Sequence, residues 1–331
     1  MLSPDDAFRV GSNTKTVTAT LVLQEVAAGT LHLDDTVESW IPGVVPGGDR
    51  ITLEQLLNHT SGLGDFILTP EFLPTLAGQE VRAWSPEELI ALTPPREPAA
   101  QPGASFSYSN ANYEALGLVL EKATGSSFAD LVTTRITGPL GMDDSYLATS
   151  ADWSAGAGHA HGYEPGATEL AAILAPVIEL PTGFGFAGAD HPDQGVDTTG
   201  IDPSYTWAAG AMVSTAADWQ TFLTALGSGA LLPPAQREQM LTTVPDDTGE
   251  GYGLGLMEVR SPCGTVYGHT GGLPGYSSQI YTDQAGERSV AVLTTSSFGL
   301  KTLTAAAADT ALITAAVCAV LDEPVPSDSR G

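Results

Sequence analysis

Residues 8–19 read FRVGSNTKTVTA and place Ser12 three residues before Lys15, at the start of an apolar run. The run continues to Gly29 with the spacing of an amphipathic helix that ends at a glycine cap. Residues three positions apart share one face of a helix. The stretch therefore predicts a helix whose first turn directs Ser12 and Lys15 into one cleft.

The chemistry of this pair indicates a nucleophile with an adjacent base. A serine hydroxyl is a weak nucleophile at neutral pH, and a desolvated lysine of lowered pKa can take its proton. The helix N-terminus adds unpaired backbone N–H groups where negative charge develops. The four residues alone leave a second interpretation open, in which Ser12 caps the helix and Lys15 is solvated on the first turn.

Length and charge limit the class of protein. The chain has 331 residues, enough to bury a large core in one domain or in two interleaved ones. Its 12 Lys and Arg residues against 39 Asp and Glu residues give a net charge of -27, without blocks of like charge. This balance disfavours a nucleic-acid or anionic-membrane partner. No apolar stretch approaches the roughly eighteen residues of a membrane span, and residues 1–10 lack a signal-peptide pattern.

Helix start signals recur after the first helix. Thr52 is a predicted cap for a helix through Leu57, and residues 85–88 (SPEE) form a capping box with proline at the first helical position. Periodic apolar residues predict further helices over 111–123, 215–226 and 233–243. Residues 143–206 are rich in glycine, proline and aspartate, and we expect long surface loops there that cover a cleft.

The pattern changes near residue 251. Four short β-rich runs follow, separated by turn residues, over 252–260, 265–270, 276–283 and 289–295. They predict an antiparallel meander, followed by an apolar helix over 301–321 that packs across one face of the sheet. The predicted fold class is α/β, an α+β sandwich in which an antiparallel sheet is flanked by helices and carries an inserted all-α region.

The predicted organisation is a single domain over residues 1–331. The all-α region covers about residues 30–245, and the sheet with its terminal helix covers about 250–322. We expect residues 323–331 to form a disordered tail.

Three short motifs follow one another along the chain: SNTK at 12–15, YSN at 108–110 and HTG at 269–271. This order resembles the serine D-alanyl-D-alanine carboxypeptidases of the class C β-lactamase group. Residues 59–63, 102–112 and 252–256 also look like that family, so the resemblance covers nearly the whole chain. It implies a β-lactamase/transpeptidase-like fold, an acyl-enzyme mechanism on small amides, esters or β-lactams, and no cofactor or metal.

The resemblance also implies roles for single residues. Ser12 would be the acylated nucleophile, Lys15 its partner in proton transfer, and Tyr108 the other general acid/base. The phenolate form of Tyr108 would be favoured by nearby Lys15 and His269. Asn110 would hold the acyl-side amide of a small-molecule or peptide substrate.

The third motif would supply the far wall of the site. His269, Thr270 and Gly271 would line it from an edge strand, and the backbone N–H groups of Ser12 and Gly272 would form the oxyanion hole. Trp207 matches a family position that walls the acyl pocket, although an ordinary core aromatic fits its context equally well.

The other candidate ligands and the two cysteines give weaker signals. His159 and His161 are the closest pair of histidines, and we interpret them as loop residues. From the residues alone, Cys263 and Cys318 are either two free thiols or one disulfide closing a long loop. The resemblance implies the disulfide, and with it a secreted or extracytoplasmic protein.

Two positions depart from the carboxypeptidase pattern. That branch has an arginine and a threonine, which bind the terminal carboxylate of the peptide, where this chain has Met257 and Gly272. Loss of a charge-assisted bidentate pair disfavours strict carboxypeptidase activity. Arg260 lies three residues after Met257, and strand alternation directs it to the opposite face.

The start of the chain is the third departure. Family members have a helix and two or three strands before the serine helix, whereas eleven residues precede Ser12 here. We therefore expect a sheet without its first strands and with an exposed edge.

The alternative to an enzyme is a catalytically silent or truncated relative that acts as a binding module. The residues do not indicate an oligomeric state.

Overall fold

The computed structural model of the protein describes residues 2–94, 101–148, 158–176, 179–181, 183–301 and 303–325. The helices within these residues are α1 (Thr14–Ala28), α2 (Val37–Trp40), α3 (Leu53–Leu57), α4 (Leu73–Leu76), α5 (Pro86–Ala91), α6 (Asn110–Thr124), α7 (Phe128–Val132), α8 (Gly138–Leu140), α9 (Ala167–Leu174), α10 (Trp207–Gly210), α11 (Ala216–Gly227), α12 (Pro234–Leu241) and α13 (Leu303–Val320). A π-helical turn, Thr133–Thr137, joins α7 to α8, and 3-10 turns lie at Gly11–Asn13, Gly48–Arg50, Ser204–Thr206 and Phe298–Lys301.

The strands of the same residues form three antiparallel sheets. They are β1 (Phe8–Arg9), β2 (Tyr146–Leu147), β3 (Tyr163–Glu164), β4 (Ala189–His191), β5 (Gly195–Asp197), β6 (Met212–Ser214), β7 (Val244–Pro245), β8 (Gly251–Tyr252), β9 (Met257–Ser261), β10 (Gly264–Leu273), β11 (Tyr276–Thr282) and β12 (Ser289–Thr294). The main sheet has the order β12-β11-β10-β9-β8-β7, and the two small ones have the orders β1-β6-β2 and β3-β5-β4.

The predicted fold class is confirmed by this arrangement of an antiparallel sheet with a helical region inserted before it in the chain. The meander is built as predicted from consecutive hairpins, with His269 opposite Ile280 in the β10–β11 pair. One predicted strand, over 252–260, is interrupted between β8 and β9, where Gly255 adopts a φ of +74° that is incompatible with an extended strand.

Two sequence-based expectations about the sheet and the helical region are wrong. The strand of His269, β10, lies between β9 and β11 and is not an edge strand, while β12 pairs only with β11 among the described residues. The region over 30–245 also contains β2 to β7, and residues 143–206 contain α9 and a small sheet. Strands of two or three residues are too short to show a period-2 pattern. Of the predicted tail, residues 326–331 lie outside the described residues.

Helix α1 lies in the centre of the molecule. Every residue from 14 to 23 is buried, so the amphipathic character expected for this segment does not apply to its first ten residues. Polar side chains there find internal partners: the Thr16 hydroxyl donates to the Gly255 carbonyl, and the Thr18 hydroxyl donates to the Ala208 carbonyl. Gly29 caps the helix with a φ of +76°, as predicted.

The terminal helix packs on the main sheet. Val317 and Val320 of α13 form a buried cluster with Val266 of β10 and Tyr281 of β11. A disulfide between Cys263 and Cys318, with the Cα atoms 5.2 Å apart, joins the β9–β10 turn to α13, as the family resemblance implied. Among the described residues, no helix combines the length and apolar character needed to cross a membrane.

Candidate active site

Ser12 lies in a tight turn between β1 and α1. Gly11 has a φ of +53°, and a Cβ placed on it would lie 2.7 Å from the Gly272 backbone nitrogen. Only glycine therefore lets this turn pack directly against β10. The packing brings the start of α1 and the end of the HTG strand together.

Lys15 is fully buried and donates three hydrogen bonds. Its Nζ lies 3.0 Å from Ser12 Oγ, 2.8 Å from Asn110 Oδ1 and 2.8 Å from the Ala209 carbonyl oxygen. An ammonium group has three donors, so these three acceptors satisfy it completely. The interpretation of Lys15 as a solvated residue on the first turn is therefore wrong.

Burial changes the proton affinity of this lysine. Desolvation lowers the pKa of Lys15 to about 7, and the acidic side chains of Asp65 and Glu114 oppose the shift. Asp65 accepts a hydrogen bond of 2.9 Å from Asn110 Nδ2. Since Asn110 Oδ1 accepts from Lys15, the Asn110 amide bridges Asp65 and the lysine amine. Glu114 is fully buried one turn after Asn110 on α6, and burial raises its pKa to about 8.

Sequence reasoning missed both acidic residues near Lys15. Asp65 follows the HTSGL turn by two positions, and Glu114 follows the YSN motif by four. Helical spacing from Asn110 could have identified Glu114, because residues four apart share a face. No local signal identifies Asp65, whose approach to Lys15 depends on the packing of its loop against α6.

Tyr108 is hydrogen-bonded to Ser12, with its ring centroid 4.9 Å from Lys15 Nζ. Burial raises the pKa of Tyr108, and the Ser12 hydrogen bond only partly opposes this shift. The phenol is therefore protonated at neutral pH, and the expected preference for phenolate is not met. The reason is that burial destabilises the charged phenolate more than its hydrogen bond with Ser12 stabilises it.

His59 supports Tyr108 from behind, a contact that the sequence did not indicate. It is fully buried, and its ring centroid lies 4.2 Å from that of Tyr108. His59 Nδ1 accepts hydrogen bonds from the Ser109 backbone N–H at 3.2 Å and from Asn112 Nδ2 at 2.9 Å. This imidazole therefore fixes both the ring and the backbone of the YSN segment.

The HTG residues pack beneath the site. His269 is 2% exposed; its Nδ1–H donates to the Thr270 carbonyl, so its Nε2 accepts from the Tyr252 hydroxyl at 2.8 Å. Burial lowers the pKa of His269 to about 3, so the ring is neutral. A Cβ on Gly271 would lie 2.0 Å from the Val10 carbonyl oxygen, so this glycine permits close packing of β10 on the Ser12 turn.

An apolar cavity of about 260 Å³ opens beside Ser12. It is lined by Gly11, Ser12, Ile67, Leu68, Leu76, Asn110, Leu174, Thr206, Ala209, Gly210, Gly272, Leu273, Pro274, Ser297 and Phe298. Among the described residues, no lysine, arginine or histidine lines it. Leu174 belongs to α9, so residues 143–206 contribute to the cleft as expected, but through a helix.

Several predicted site residues do not reach this cavity. His269, Thr270 and Gly271 are not among its lining residues, whereas Gly272 is. Trp207 packs with its ring centroid 5.3 Å from Phe128 and against Gly117, and it lines a separate cavity with Glu114. Its interpretation as a core aromatic agrees with these contacts better than a place in the acyl pocket.

Within the part of the chain that the structure describes, neither a metal cluster nor a replacement guanidinium lies at this site. Among the described residues, no three His, Cys, Asp or Glu side chains converge as metal ligands. Arg260 is exposed and bonds to Glu258 Oε1 at 3.0 Å, away from the cavity. The expectation that strand alternation directs Arg260 away from Met257 agrees with this contact.

Comparison with known proteins finds similarity to penicillin-binding proteins and to an esterase. A family model described as Beta-lactamase matches residues 2–315. Penicillin-binding protein 4* of Bacillus subtilis is 27% identical over 283 residues, covering 84% of this chain and 58% of that protein. Esterase EstB of Burkholderia gladioli is 29% identical over 316 residues, covering 89% of this chain and 78% of the esterase. The chain thus spans little more than half the length of the Bacillus subtilis protein.

Solved structures agree with these matches. A D-stereospecific amidohydrolase from Streptomyces sp. superposes with a TM-score of 0.78 at 35% sequence identity. The superposition covers 95% of this chain and 87% of the amidohydrolase. The two chains therefore share their fold over nearly their full length.

Proposed function

Because this chain belongs to the beta-lactamase family, we propose that it is a serine hydrolase that forms an acyl-enzyme on Ser12. Its substrates are small amides, esters or β-lactams. The observation that carries the proposal is the 3.0 Å contact between Lys15 Nζ and Ser12 Oγ beside an apolar cavity. A buried lysine of lowered pKa next to a serine hydroxyl is a nucleophile with its base.

The acylation step follows from the hydrogen bonds of Lys15. When Lys15 is neutral, its two N–H bonds point to Asn110 Oδ1 and the Ala209 carbonyl, so its lone pair faces Ser12 Oγ. Lys15 takes the Ser12 proton as Oγ attacks the substrate carbonyl carbon. The backbone N–H groups of Ser12 and Gly272 then stabilise the oxyanion.

Tyr108 completes the proton transfer. Its protonated phenol gives a proton to the departing amine or alcohol, and Lys15 returns to Tyr108 the proton that it took from Ser12. Water then attacks the acyl-Ser12 ester through the same groups in the reverse order. The protonated state of Tyr108, which follows from its raised pKa, supports a role as the acid of the first half-reaction.

The lining of the cavity supports substrates that lack a terminal carboxylate. It offers apolar side chains and no cation among the described residues, so it provides no partner for a terminal carboxylate. The similar Streptomyces protein is a D-stereospecific amidohydrolase, and a similar Burkholderia protein is an esterase. We infer that amides of D-amino acids and short-chain esters are better substrates than peptides ending in D-Ala-D-Ala.

The test is covalent labelling of Ser12. Wild-type protein incubated with a fluorophosphonate or a penicillin should gain one adduct by mass spectrometry, and Ser12→Ala should gain none. Ser126→Ala changes an exposed serine and should label like the wild type. No adduct on the wild type, or equal labelling of Ser12→Ala, would disprove the proposal. The rates of hydrolysis of a nitrophenyl ester, a D-amino acid amide and an acyl-D-Ala-D-Ala peptide then rank the substrates.

We also propose that residues 1–331 form a single domain and that the protein works outside the cytoplasm. The disulfide between Cys263 and Cys318 supports the second point, since such bonds persist in oxidising compartments. Fractionation of the native cells with an antibody to the chain tests it. Recovery from the cytoplasm with both thiols free would contradict it.

A further inference from the structure

Glu164 is a buried carboxylate whose partners are all backbone N–H groups. It is 1% exposed, and its Oε1 accepts from Gly275 at 2.6 Å and Ser297 at 2.9 Å. Its Oε2 accepts from Phe298 at 2.9 Å and Gly299 at 3.2 Å. Among the described residues, no lysine, arginine or histidine pairs with it. A buried carboxylate is costly unless its oxygens are fully bonded, and here four donors satisfy it.

The four donors belong to two segments that form one wall of the cavity. Gly275 lies in the β10–β11 turn, directly after the cavity-lining residues Leu273 and Pro274. Ser297 and Phe298, which follow β12, line the same cavity. We call Leu273, Pro274, Ser297 and Phe298 the outer wall.

The two segments of the outer wall are not joined to each other by the sheet ladder. The β11–β12 pairing ends at Ser277 and Thr294, so the ladder stops before both segments. Glu164 reaches them from β3, a strand of a different sheet. One side chain therefore links a turn, a segment after the last strand and a neighbouring sheet.

We propose that Glu164 is a positioning residue that fixes the outer wall of the cavity and thereby determines how tightly bulky substrates bind. This inference rests on the proposed function of the Ser12 site. Gly272 is held separately by its pairing with Ser277 in the sheet. Glu164 therefore acts on substrate binding and not on the groups that perform the chemistry.

The test is Glu164→Gln, which keeps the shape of the side chain. An amide has one acceptor oxygen and one NH₂ donor, so either Gly275 and Ser297 or Phe298 and Gly299 would face a donor and lose their bonds. The variant should raise KM for 4-nitrophenyl hexanoate at least tenfold and change kcat less than threefold. For vinyl acetate, which is small on both sides of the scissile bond, kcat/KM should change less than threefold.

The matched control is Glu169→Gln, the same change at an exposed position of α9. It should leave both substrates unaffected. A purely structural role for Glu164 would lower the rates for both substrates by the same factor, as the folded fraction falls. Equal losses for both substrates, or no loss for either, would overturn the proposal.

A second measurement does not depend on catalysis or on a folded variant. In wild-type protein, hydrogen exchange should show the amides of Gly275, Ser297, Phe298 and Gly299 to be protected as strongly as those of β11. Exchange at the rate of an open loop would overturn the proposal even if the esters are hydrolysed. Slow exchange of these amides without labelling of Ser12 would support the role of Glu164 in fixing the outer wall. It would reject only the proposed hydrolase function.

Discussion

The protonation states around Ser12 are properties of single residues that depend on burial. Lys15 has a pKa lowered to about 7, and His269 has one lowered to about 3, both mainly by desolvation. Burial raises the pKa of Glu114 to about 8, so it is largely protonated at neutral pH. A site with many ionisable groups therefore holds little net charge, and Lys15 can exchange a proton with Ser12 near neutrality.

The pH dependence of acylation should report Lys15. Activity requires neutral Lys15, so kcat/KM for an ester should rise with pH through about 7. Asp65 stabilises the protonated form, so Asp65→Asn should lower the pKa of Lys15 and move this rise to lower pH. The ratio of kcat/KM at pH 6 to that at pH 8 should increase about threefold or more.

Asp247→Asn is the matched control, because Asp247 is exposed and is not one of the acidic residues that act on the pKa of Lys15. It should leave the profile unchanged. A profile of Asp65→Asn that moves to higher pH, or does not move, would contradict the assignment of Lys15 as the base.

At the scale of elements, the contact between the Ser12 turn and β10 determines the geometry of the site. A Cβ on Gly11 meets Gly272, and a Cβ on Gly271 meets the Val10 carbonyl, so both glycines permit this contact. The serine and histidine motifs, more than 250 residues apart in sequence, are thereby held with their backbones in contact. The candidate oxyanion hole lies in this contact.

Gly11→Ala should damage both stability and activity. The alanine Cβ would lie 2.7 Å from the Gly272 backbone nitrogen, which is a clash. The φ of +53° adds backbone strain to that clash. Gly29 has a φ of +76°, and a Cβ added to it would have no atom within 4 Å. Gly29→Ala therefore has only the free-energy cost of holding alanine at a positive φ, without a clash. That cost is about 1–2 kcal/mol.

We expect urea unfolding to show Gly11→Ala less stable than Gly29→Ala by at least about 1 kcal/mol. The rate of fluorophosphonate labelling should fall at least tenfold for Gly11→Ala and stay at the wild-type value for Gly29→Ala. Equal effects of the two substitutions would show that the turn does not depend on its contact with β10.

On the scale of the whole molecule, the disulfide and the site lie at opposite ends of β10. Cys263 immediately precedes the strand, whereas Gly272 is near its end, about 25–30 Å away along an extended chain. The bond joins α13 to the main sheet beside the cluster of Val266 and Val317. It therefore supports the scaffold without contacting the cavity.

Replacing both cysteines by serine should lower the free energy of unfolding by about 2–4 kcal/mol, since the bond closes a long loop. The rate of Ser12 labelling of the folded protein should not change. Urea unfolding of the double variant and of the wild type, each with and without reductant, measures this effect. An unchanged free energy, or slower labelling of folded protein, would contradict a purely scaffolding role.

The sequence by itself determined features that depend on neighbouring residues. The helix cap at Thr52, the capping box at Ser85 and the glycine cap of α1 form as predicted. Each of these needs only backbone groups within a few positions of the side chain, so local spacing predicts it. The hairpins of the main sheet follow from turn residues in the same way.

Only the tertiary structure decided which groups share the cavity and how they are charged. It brings Asp65 and Glu114 near Lys15, removes Trp207 from the pocket, and links two segments of the wall through Glu164. These contacts join residues that are distant in sequence, and a pKa depends on how much water the fold removes. No local pattern carries that information, because burial is a property of the packed chain.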